Sequence, residues 1–248
     1  MPKRRKIDSP LGASADKGLQ DPRGSPADAS SSAPIGGRAA PANITGVIGA
    51  SQTGKGVYCK ARLRTPTRGP VVIWSPLERT NDFAGFIHGV TVTGIPALVR
   101  ELSRDPAARV VYVPAPEKIS LQFDYFCRVV AELNGARVVV DELSRVTSPS
   151  WAPYHWKNLS TAGAHDRLEL IGTAQQPSMI DKAFLSNCTE IRCYRLVWEE
   201  DARRMASLLQ VPWLDLANLP DFHYRHRVIR ECRTELGIQE LDFLQRLA

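Results

Sequence analysis

The residues with the clearest chemistry form a glycine-rich loop near the start of the patterned part of the chain. They match the phosphate-binding pattern G-x-x-x-x-G-K-[ST] except at the last position, where Gly56 replaces the hydroxyl residue. Backbone N–H groups of such a loop, together with the N-terminus of the next helix, form an anion site. Lys55 adds a positive charge for the β- and γ-phosphates. The predicted nucleotide-binding residues are Gly49, Ala50, Ser51, Gln52, Thr53, Gly54, Lys55, Gly56 and Val57.

This loop requires a strand before it and a helix after it. Residues 44–48 are mostly β-branched and predict a buried strand that leads into the loop. Residues 57–63 predict the helix that leaves it. The local order of strand, loop and helix is therefore the one that phosphate binding needs.

Two adjacent carboxylates come after a second predicted strand. Residues 137–140 include three consecutive valines, and Asp141 and Glu142 come next, as in a Walker B motif. Asp141 is predicted to hold Mg²⁺ directly or through water, and Glu142 to orient or deprotonate the attacking water. Taken alone, the pattern also fits a strand that runs into an acidic turn. With the P-loop upstream, it predicts an ATPase with a catalytic glutamate.

A third motif ends another predicted strand, over residues 168–173, with a polar amide. If this strand lies beside the Walker B strand, Gln175 reaches the γ-phosphate and senses its hydrolysis. An isolated amide at a strand end is more often a turn former or a cap. The order of the three motifs favours the sensor.

Composition limits the possible classes of protein. The chain of 248 residues is 43% hydrophobic, which allows one sizeable core, and no apolar run approaches the ~20 residues of a membrane span. We expect no transmembrane segment and a soluble, intracellular protein. The five cysteines have no zinc or C-x-x-C spacing. A net charge of +6 is compatible with nucleic acid as a partner.

The chain divides into three predicted parts. Residues 1–42 are rich in Pro, Gly, Ser and Ala and predict a disordered arm, whose cluster Lys3-Arg4-Arg5-Lys6 either binds nucleic acid, directs localisation or is a solvated charge run. Residues 43–210 alternate strand-like and helix-like runs and predict an α/β core with a mainly parallel sheet flanked by helices. Residues 211–248 predict a strand and a final amphipathic helix that includes Leu236.

The third motif and the segment after it resemble a known family. Thr173-Ala174-Gln175-Gln176-Pro177-Ser178, a short helix with Asn187, and a strand with Arg192 and Arg195 resemble the FtsK/HerA superfamily of DNA-pumping ATPases. The resemblance covers roughly residues 44–210. It implies an additional-strand, catalytic-glutamate P-loop NTPase that binds ATP and Mg²⁺ and forms a ring, a hexamer, around double-stranded DNA.

Within that superfamily, the chain is most similar to the genome-packaging ATPases of tailless internal-membrane phages, of the tectivirus and corticovirus type. The resemblance implies ATP-driven translocation of double-stranded DNA into a capsid. It also implies capsid-vertex or membrane proteins as partners and a place in the host cytoplasm or on the virion. A Zot-like export ATPase, a host-type translocase and a nucleotide-regulated scaffold with impaired hydrolysis are the alternatives.

Two departures from the family pattern affect the expected site. Gly56 removes the hydroxyl that ligates Mg²⁺, so Thr53 is predicted to join Asp141 as a metal ligand, with Ser51 or water as alternatives. Gln176 stands where the family often has arginine.

The resemblance also implies an arginine that acts on a neighbouring subunit's nucleotide. Arg167, just before the sensor strand, is the predicted catalytic arginine. Arg145, just after the Walker B motif, is the other main candidate, with Arg192 and Arg195 behind them.

A possible DNA-tracking stripe lies near the C-terminus. His223, Arg225 and Arg227 alternate, so they would share one face of a strand. Simple solvent exposure explains the pattern equally well.

Overall fold

The computed structural model describes residues 43–161 and 168–240, and its centre is one nine-stranded sheet. The strand order is β3-β4-β2-β5-β6-β1-β7-β8-β9. The strands are β1 Asn43–Ile48, β2 Val71–Trp74, β3 Val90–Val92, β4 Arg109–Tyr112, β5 Arg137–Val140, β6 Glu169–Ala174, β7 Glu190–Tyr194, β8 His223–Val228 and β9 Arg233–Ile238.

Strands β1 to β7 are parallel to one another, and β8 and β9 add an antiparallel hairpin at the edge beside β7. Parallel strands need crossover connections, and helices supply most of them. The helices are α1 Lys55–Arg64, α2 Glu78–Asn81, α3 Phe83–Ile87, α4 Ile95–Arg104, α5 Ile119–Ala131, α6 Tyr154–Thr161, α7 Lys182–Asn187, α8 Glu199–Leu209 and α9 Trp213–Ala217. The predicted α/β class with a mainly parallel sheet is confirmed.

Alternation along the strands builds a separate core on each face of the sheet. In β2, Val72 and Trp74 face a large cluster that includes side chains of α4 to α8. Val71 and Ile73 face a smaller cluster with side chains of α1 and α3. Strands covered on both faces are expected to be apolar at every position, as the fully buried β2 is.

Strand β6 lies between the P-loop strand β1 and the Walker B strand β5. Val47 of β1 aligns with Thr173 of β6, and Val140 of β5 aligns with Gly172. Because parallel strands end at the same edge of a sheet, the P-loop, the two carboxylates and the sensor amide meet there. The predicted additional-strand arrangement is therefore present.

The C-terminal part differs from the sequence prediction. Leu236, predicted to lie in a final helix, lies in β9, where it pairs with Arg225 of β8. Gly237 permits this pairing, because a Cβ there would lie 2.4 Å from the Tyr224 ring. The rest of the predicted helix, residues 241–248, and the predicted arm, residues 1–42, lie outside the described residues.

The region after the sensor strand contains a 3-10 turn, Pro177–Met179, followed by α7, the short helix that ends at Asn187. Asp181 separates the two and caps α7 by accepting hydrogen bonds from the N–H groups of Ala183 and Phe184.

The helices of the described part of the chain are short or amphipathic. None of them is long and apolar enough to cross a membrane.

Candidate nucleotide-binding site

A cavity of about 320 Å³ opens at the carboxyl edge of the central strands. It lies between the P-loop, the ends of β5 and β6, and the connection after β2. The residues that line it are Ser51, Gln52, Gly54, Lys55, Gly56, Val57, Leu77, Thr80, Asn81, Phe83, Asp141, Glu142, Gln175 and Phe222.

The P-loop is anchored to the strands on both sides of β1. The Gly49 N–H donates to the Ala174 carbonyl at the end of β6 (3.1 Å), and the Ala50 N–H donates to the Arg195 carbonyl after β7 (2.8 Å). Gly54 has φ +126°, and a Cβ at this position would lie 2.7 Å from the Tyr194 ring. The loop thus requires glycine here for both conformation and space.

Lys55 is buried against the loop that precedes it. Its Nζ donates hydrogen bonds to the carbonyls of Gly49 (2.7 Å) and Ala50 (2.8 Å). Burial lowers the pKa of Lys55, while the nearby Glu142 and Asp141 carboxylates oppose that shift. Phosphate oxygens would stabilise the charged lysine further, as the P-loop prediction requires.

Asp141 sits at the floor of the cavity with both carboxylate oxygens engaged. Thr173 Oγ1 donates to Oδ1 and Asn81 Nδ2 donates to Oδ2, each at 2.8 Å. Burial raises the pKa of Asp141 to about 6, and the repulsion from Glu142 adds to this. The two hydrogen bonds and Lys55 act in the opposite direction. A cation bound here would relieve the cost of the buried charge.

Glu142 is held in an unusual backbone conformation. Its φ is +55°, in the left-handed region that costs energy for a residue with a side chain. Its N–H donates to Thr173 Oγ1 (3.1 Å), and Gln175 Nε2 donates to its Oε1. The predicted sensor amide therefore contacts the predicted catalytic carboxylate directly, and both line the cavity.

Thr53 is not placed where the sequence prediction needs it. Its side chain is buried, with 1% exposed, and its hydroxyl donates to the Ala50 carbonyl at 2.8 Å. Thr53 is also absent from the cavity lining, whereas Ser51 and Gly56 belong to it. The hydroxyl stabilises the loop from within, so the structure gives no support to Thr53 as a magnesium ligand.

The donor chemistry of the cavity nevertheless fits Mg²⁺. The described residues contain no group of three or more His, Cys, Asp and Glu side chains that could hold a metal alone. Mg²⁺ in nucleotide sites is held by one or two carboxylates, phosphate oxygens and water. Asp141 supplies the carboxylate, and Asn81 and Ser51 supply neutral oxygen atoms nearby.

The four candidate arginines have different surroundings. Arg192 lies between the rings of Tyr58 and Tyr224, at 4.3 and 3.8 Å from their centroids, and Arg195 pairs with Asp221. Arg145 is separated from Glu142 by one 3-10 turn, is exposed, and has no carboxylate partner within the described ranges. Arg167, the predicted catalytic arginine, lies outside those ranges.

Three residues of the site have no signal in the sequence: Asn81, Thr173 as a hydrogen-bond bridge, and Phe222. The Phe222 N–H donates to the Thr53 carbonyl (3.0 Å), which ties the β8–β9 hairpin to the P-loop. Phe222 has a φ of +63°, a conformation that glycine or asparagine usually adopts, so the sequence does not predict it. These residues come from distant parts of the chain, and only the sheet brings them together.

The suggested DNA-tracking stripe on β8 was wrong for its two arginines. Arg225 pairs with Asp215 at 2.6 Å. Arg227 is 5% exposed and donates to the Leu209 carbonyl. Both side chains anchor the hairpin to the helices α8 and α9.

No protein-family model and no curated protein matches this sequence. Solved structures do match it. The genome packaging NTPase B204 of Sulfolobus turreted icosahedral virus 2, in complex with AMPPCP, is 13% identical and superposes with a TM-score of 0.64 over 80% of this chain and 98% of that one. B204 of Sulfolobus turreted icosahedral virus, a DNA-packaging ATPase, gives 12% identity, a TM-score of 0.62 and the same coverage.

VirB4 of Thermoanaerobacter pseudethanolicus is similar over 79% of this chain and 89% of its own, with 11% identity and a TM-score of 0.60. At these identities the similarity establishes the fold. The chain has the P-loop NTPase fold that the motifs predicted. The narrower similarity to tectivirus-type proteins is not tested by these structures.

Proposed function

We propose that this protein is an ATPase that drives the translocation of double-stranded DNA, as the packaging motor of a viral genome. The observation that carries the proposal is the contact of Gln175 with Glu142, both of which line the P-loop cavity. A carboxylate that activates water and an amide that senses phosphate are needed for turnover that is coupled to movement. Nucleotide binding alone needs neither group.

The P-loop and Lys55 would bind the phosphates of ATP. Loop N–H groups and the α1 N-terminus supply fixed dipoles, and Lys55 would exchange its bonds with the Gly49 and Ala50 carbonyls for phosphate oxygens. Mg²⁺, when bound, neutralises charge on the phosphates, and Asp141 is the carboxylate that would hold it. Catalysis in this site would be positioning and electrostatic stabilisation.

Glu142 would orient the attacking water and accept its proton. Gln175 holds that carboxylate from the neighbouring strand, so a change at the γ-phosphate position is transmitted to the end of β6. Thr173 lies two residues before Gln175 and bonds both Asp141 and the Glu142 backbone. Binding, hydrolysis and sensing are thus linked by β6.

We infer that turnover requires a ring of subunits, a hexamer in the proposed arrangement. An arginine from the next subunit would stabilise the charge that develops on the transferred phosphoryl group, and such a residue contributes about 10³–10⁵ in rate. Arg167 is the proposed residue, and Arg145 is the alternative that the described part of the structure leaves exposed.

The viral role is supported by similarity to the two B204 structures. The superposition covers 98% of those proteins and 80% of this chain, so the shared part includes nearly all of B204. Proposed partners are double-stranded DNA and proteins of the capsid vertex or the viral membrane. The proposed place of action is the host cytoplasm, at the assembling virion.

ATP turnover measured with and without linear duplex DNA tests this function. Wild type should hydrolyse ATP and be stimulated by DNA, while Lys55→Ala should lose nucleotide binding. Glu142→Gln should bind ATP with near wild-type affinity but turn it over at least about 100-fold more slowly. Binding without turnover in the wild type would instead favour a nucleotide-regulated scaffold, the alternative that the missing hydroxyl at Gly56 suggests.

A further inference from the structure

The missing hydroxyl at Gly56 is not explained by lack of space. Gly56 is the second residue of α1, it is exposed, and it lines the cavity. A Cβ built at this position meets no atom within 4 Å. A serine would therefore fit, and glycine costs helix stability compared with other residues. Packing therefore does not require glycine at position 56, and the reason for its presence must lie in the chemistry of the site.

The Asn81 side chain lies in the same cavity and contacts the Asp141 carboxylate. Asn81, the last residue of α2, lines the cavity and donates from Nδ2 to Asp141 Oδ2 at 2.8 Å. Within residues 43–161 and 168–240, its amide oxygen has no hydrogen-bond partner. One planar amide thus fixes Asp141 and keeps an oxygen atom available.

The fold holds Asn81 in this place. Strand β2 pairs with β5, and the Asp141 N–H donates to the Trp74 carbonyl at 3.0 Å, so the connection after β2 passes beside Asp141. Glu78, at the start of α2, accepts a hydrogen bond from the Ala84 N–H at 2.7 Å. Asp82 then ends α2 with φ +47° and caps α3. These contacts fix the backbone on both sides of Asn81 and so determine its position.

We propose that Asn81 takes the place of the missing P-loop hydroxyl in the magnesium site. It orients the Asp141 carboxylate through Nδ2 and presents its amide oxygen to the cation or to a water of the cation. Oxygen donors of this kind suit Mg²⁺. This inference rests on the proposed function, because it assumes a magnesium–nucleotide complex in the cavity.

Mn²⁺ binding, followed by electron paramagnetic resonance in the presence of a non-hydrolysable ATP analogue, tests the inference without turnover. Asn81→Leu keeps the branched shape and the number of side-chain heavy atoms and removes both polar atoms, so Mn²⁺ affinity should fall by about 10-fold or more. Asn81→Asp keeps the side-chain oxygen and replaces the Nδ2 donor with a second carboxylate oxygen. Because it adds a negative charge beside the cation, it should bind Mn²⁺ at least as tightly as wild type. Gly56→Ser should restore the Asn81→Leu variant to within about threefold of wild type.

Arg79→Ala is the matched control, because Arg79 is exposed on the same helix and does not line this cavity. Thr80→Val tests the neighbouring hydroxyl, which does line it. Unchanged Mn²⁺ affinity in Asn81→Leu, no rescue by Gly56→Ser, or loss only in Thr80→Val would each overturn the proposal.

Analogue binding in EDTA separates this inference from the function on which it rests. If the wild type binds no analogue with or without metal, the proposed ATPase function fails. If the analogue binds normally and Asn81→Leu leaves Mn²⁺ affinity unchanged, the role of Asn81 alone fails.

Discussion

Asp141 and Glu142 are neighbours in sequence, yet their carboxylates have separate partners. Thr173 and Asn81 hold the first, and Gln175 holds the second. The left-handed conformation of Glu142 turns the chain sharply at this point, so both carboxylates line one cavity although they come after a strand in which successive side chains alternate. Two adjacent acidic residues can therefore do two different tasks.

The burial of Asp141 predicts a pH-dependent cost to stability in the absence of metal. Its pKa is raised to about 6 in the folded protein, so the protonated form is favoured there. Between pH ~4 and ~6 the contribution of Asp141 to the free energy of unfolding should fall as pH rises, and above that range the loss is complete. Asp141→Asn should gain on the order of 1–3 kcal/mol in the free energy of unfolding at pH 8 and almost nothing at pH 4.

Urea unfolding in EDTA at a series of pH values measures this difference. Glu132→Gln, at an exposed site, is the control for a lost negative charge and should stay within about 0.5 kcal/mol of the wild type. Parallel pH profiles for wild type and Asp141→Asn would contradict the account of Asp141.

Among the residues of the site, those that belong to local sequence patterns were predicted from the sequence alone. The P-loop, Asp141, Glu142 and Gln175 stand at strand ends whose apolar runs are easy to recognise. Asn81 and Phe222 have no such signal. Asn81 follows β2 and Phe222 precedes β8. Each reaches the cavity only because the strand order of the sheet places that strand near the cavity.

At the scale of elements, α1 is fixed at both ends. Its N-terminus adjoins the P-loop, and at its other end Arg137 donates to the carbonyls of Arg62 and Thr65, each at 2.7 Å. Arg137 also pairs with Glu169 at 2.8 Å and is 2% exposed. This network ties α1 to the starts of β5 and β6, at the sheet edge opposite the cavity.

Removal of Arg137 should therefore destabilise the whole protein. Arg137→Met leaves the Glu169 carboxylate with only the half-exposed Arg62 as a partner, and it leaves two backbone carbonyls without a donor. We therefore expect the free energy of unfolding to fall by about 3–5 kcal/mol. Chemical unfolding monitored by circular dichroism measures it. Arg128→Met, on the exposed surface of α5, is the matched control, and an equal small effect for both would show that the network does not stabilise the fold.

Elements marked by a continuous apolar run were predicted from the sequence more successfully than short helices. The predicted strands over residues 44–48, 137–140 and 168–173 correspond to β1, β5 and β6. The helices α2, α3 and α9 have five residues or fewer, too short for a period to be visible. Strand β9 was missed because Leu236 and the leucines beyond it repeat at helical spacing, whereas pairing with β8 determines its conformation.

At the scale of the whole molecule, the proposed ring makes each ATP site a composite of two subunits. Mixing variants tests this. Lys55→Ala and Arg167→Ala should each be inactive, but a mixture should recover a fraction of wild-type ATP turnover, because some interfaces combine an intact P-loop with an intact arginine. Arg145→Ala, tested in the same way, identifies which arginine acts.

A mixture of Lys55→Ala and Glu142→Gln is the matched control for that experiment. Lys55 and Glu142 belong to the half of the site that contains the P-loop. Every subunit in this mixture therefore lacks a functional P-loop half, and no recovery is expected. Recovery in this control, or none in either arginine mixture, would contradict a site shared between subunits.

Triplex displacement tests the central claim, ATP-driven movement along double-stranded DNA, most directly. A third strand annealed to one end of a linear duplex is released when a motor passes through it. Wild-type protein with ATP should release the strand, whereas Glu142→Gln with ATP, and wild type with a non-hydrolysable analogue, should not. Rapid ATP hydrolysis by the wild type that leaves the triplex in place would contradict the claim.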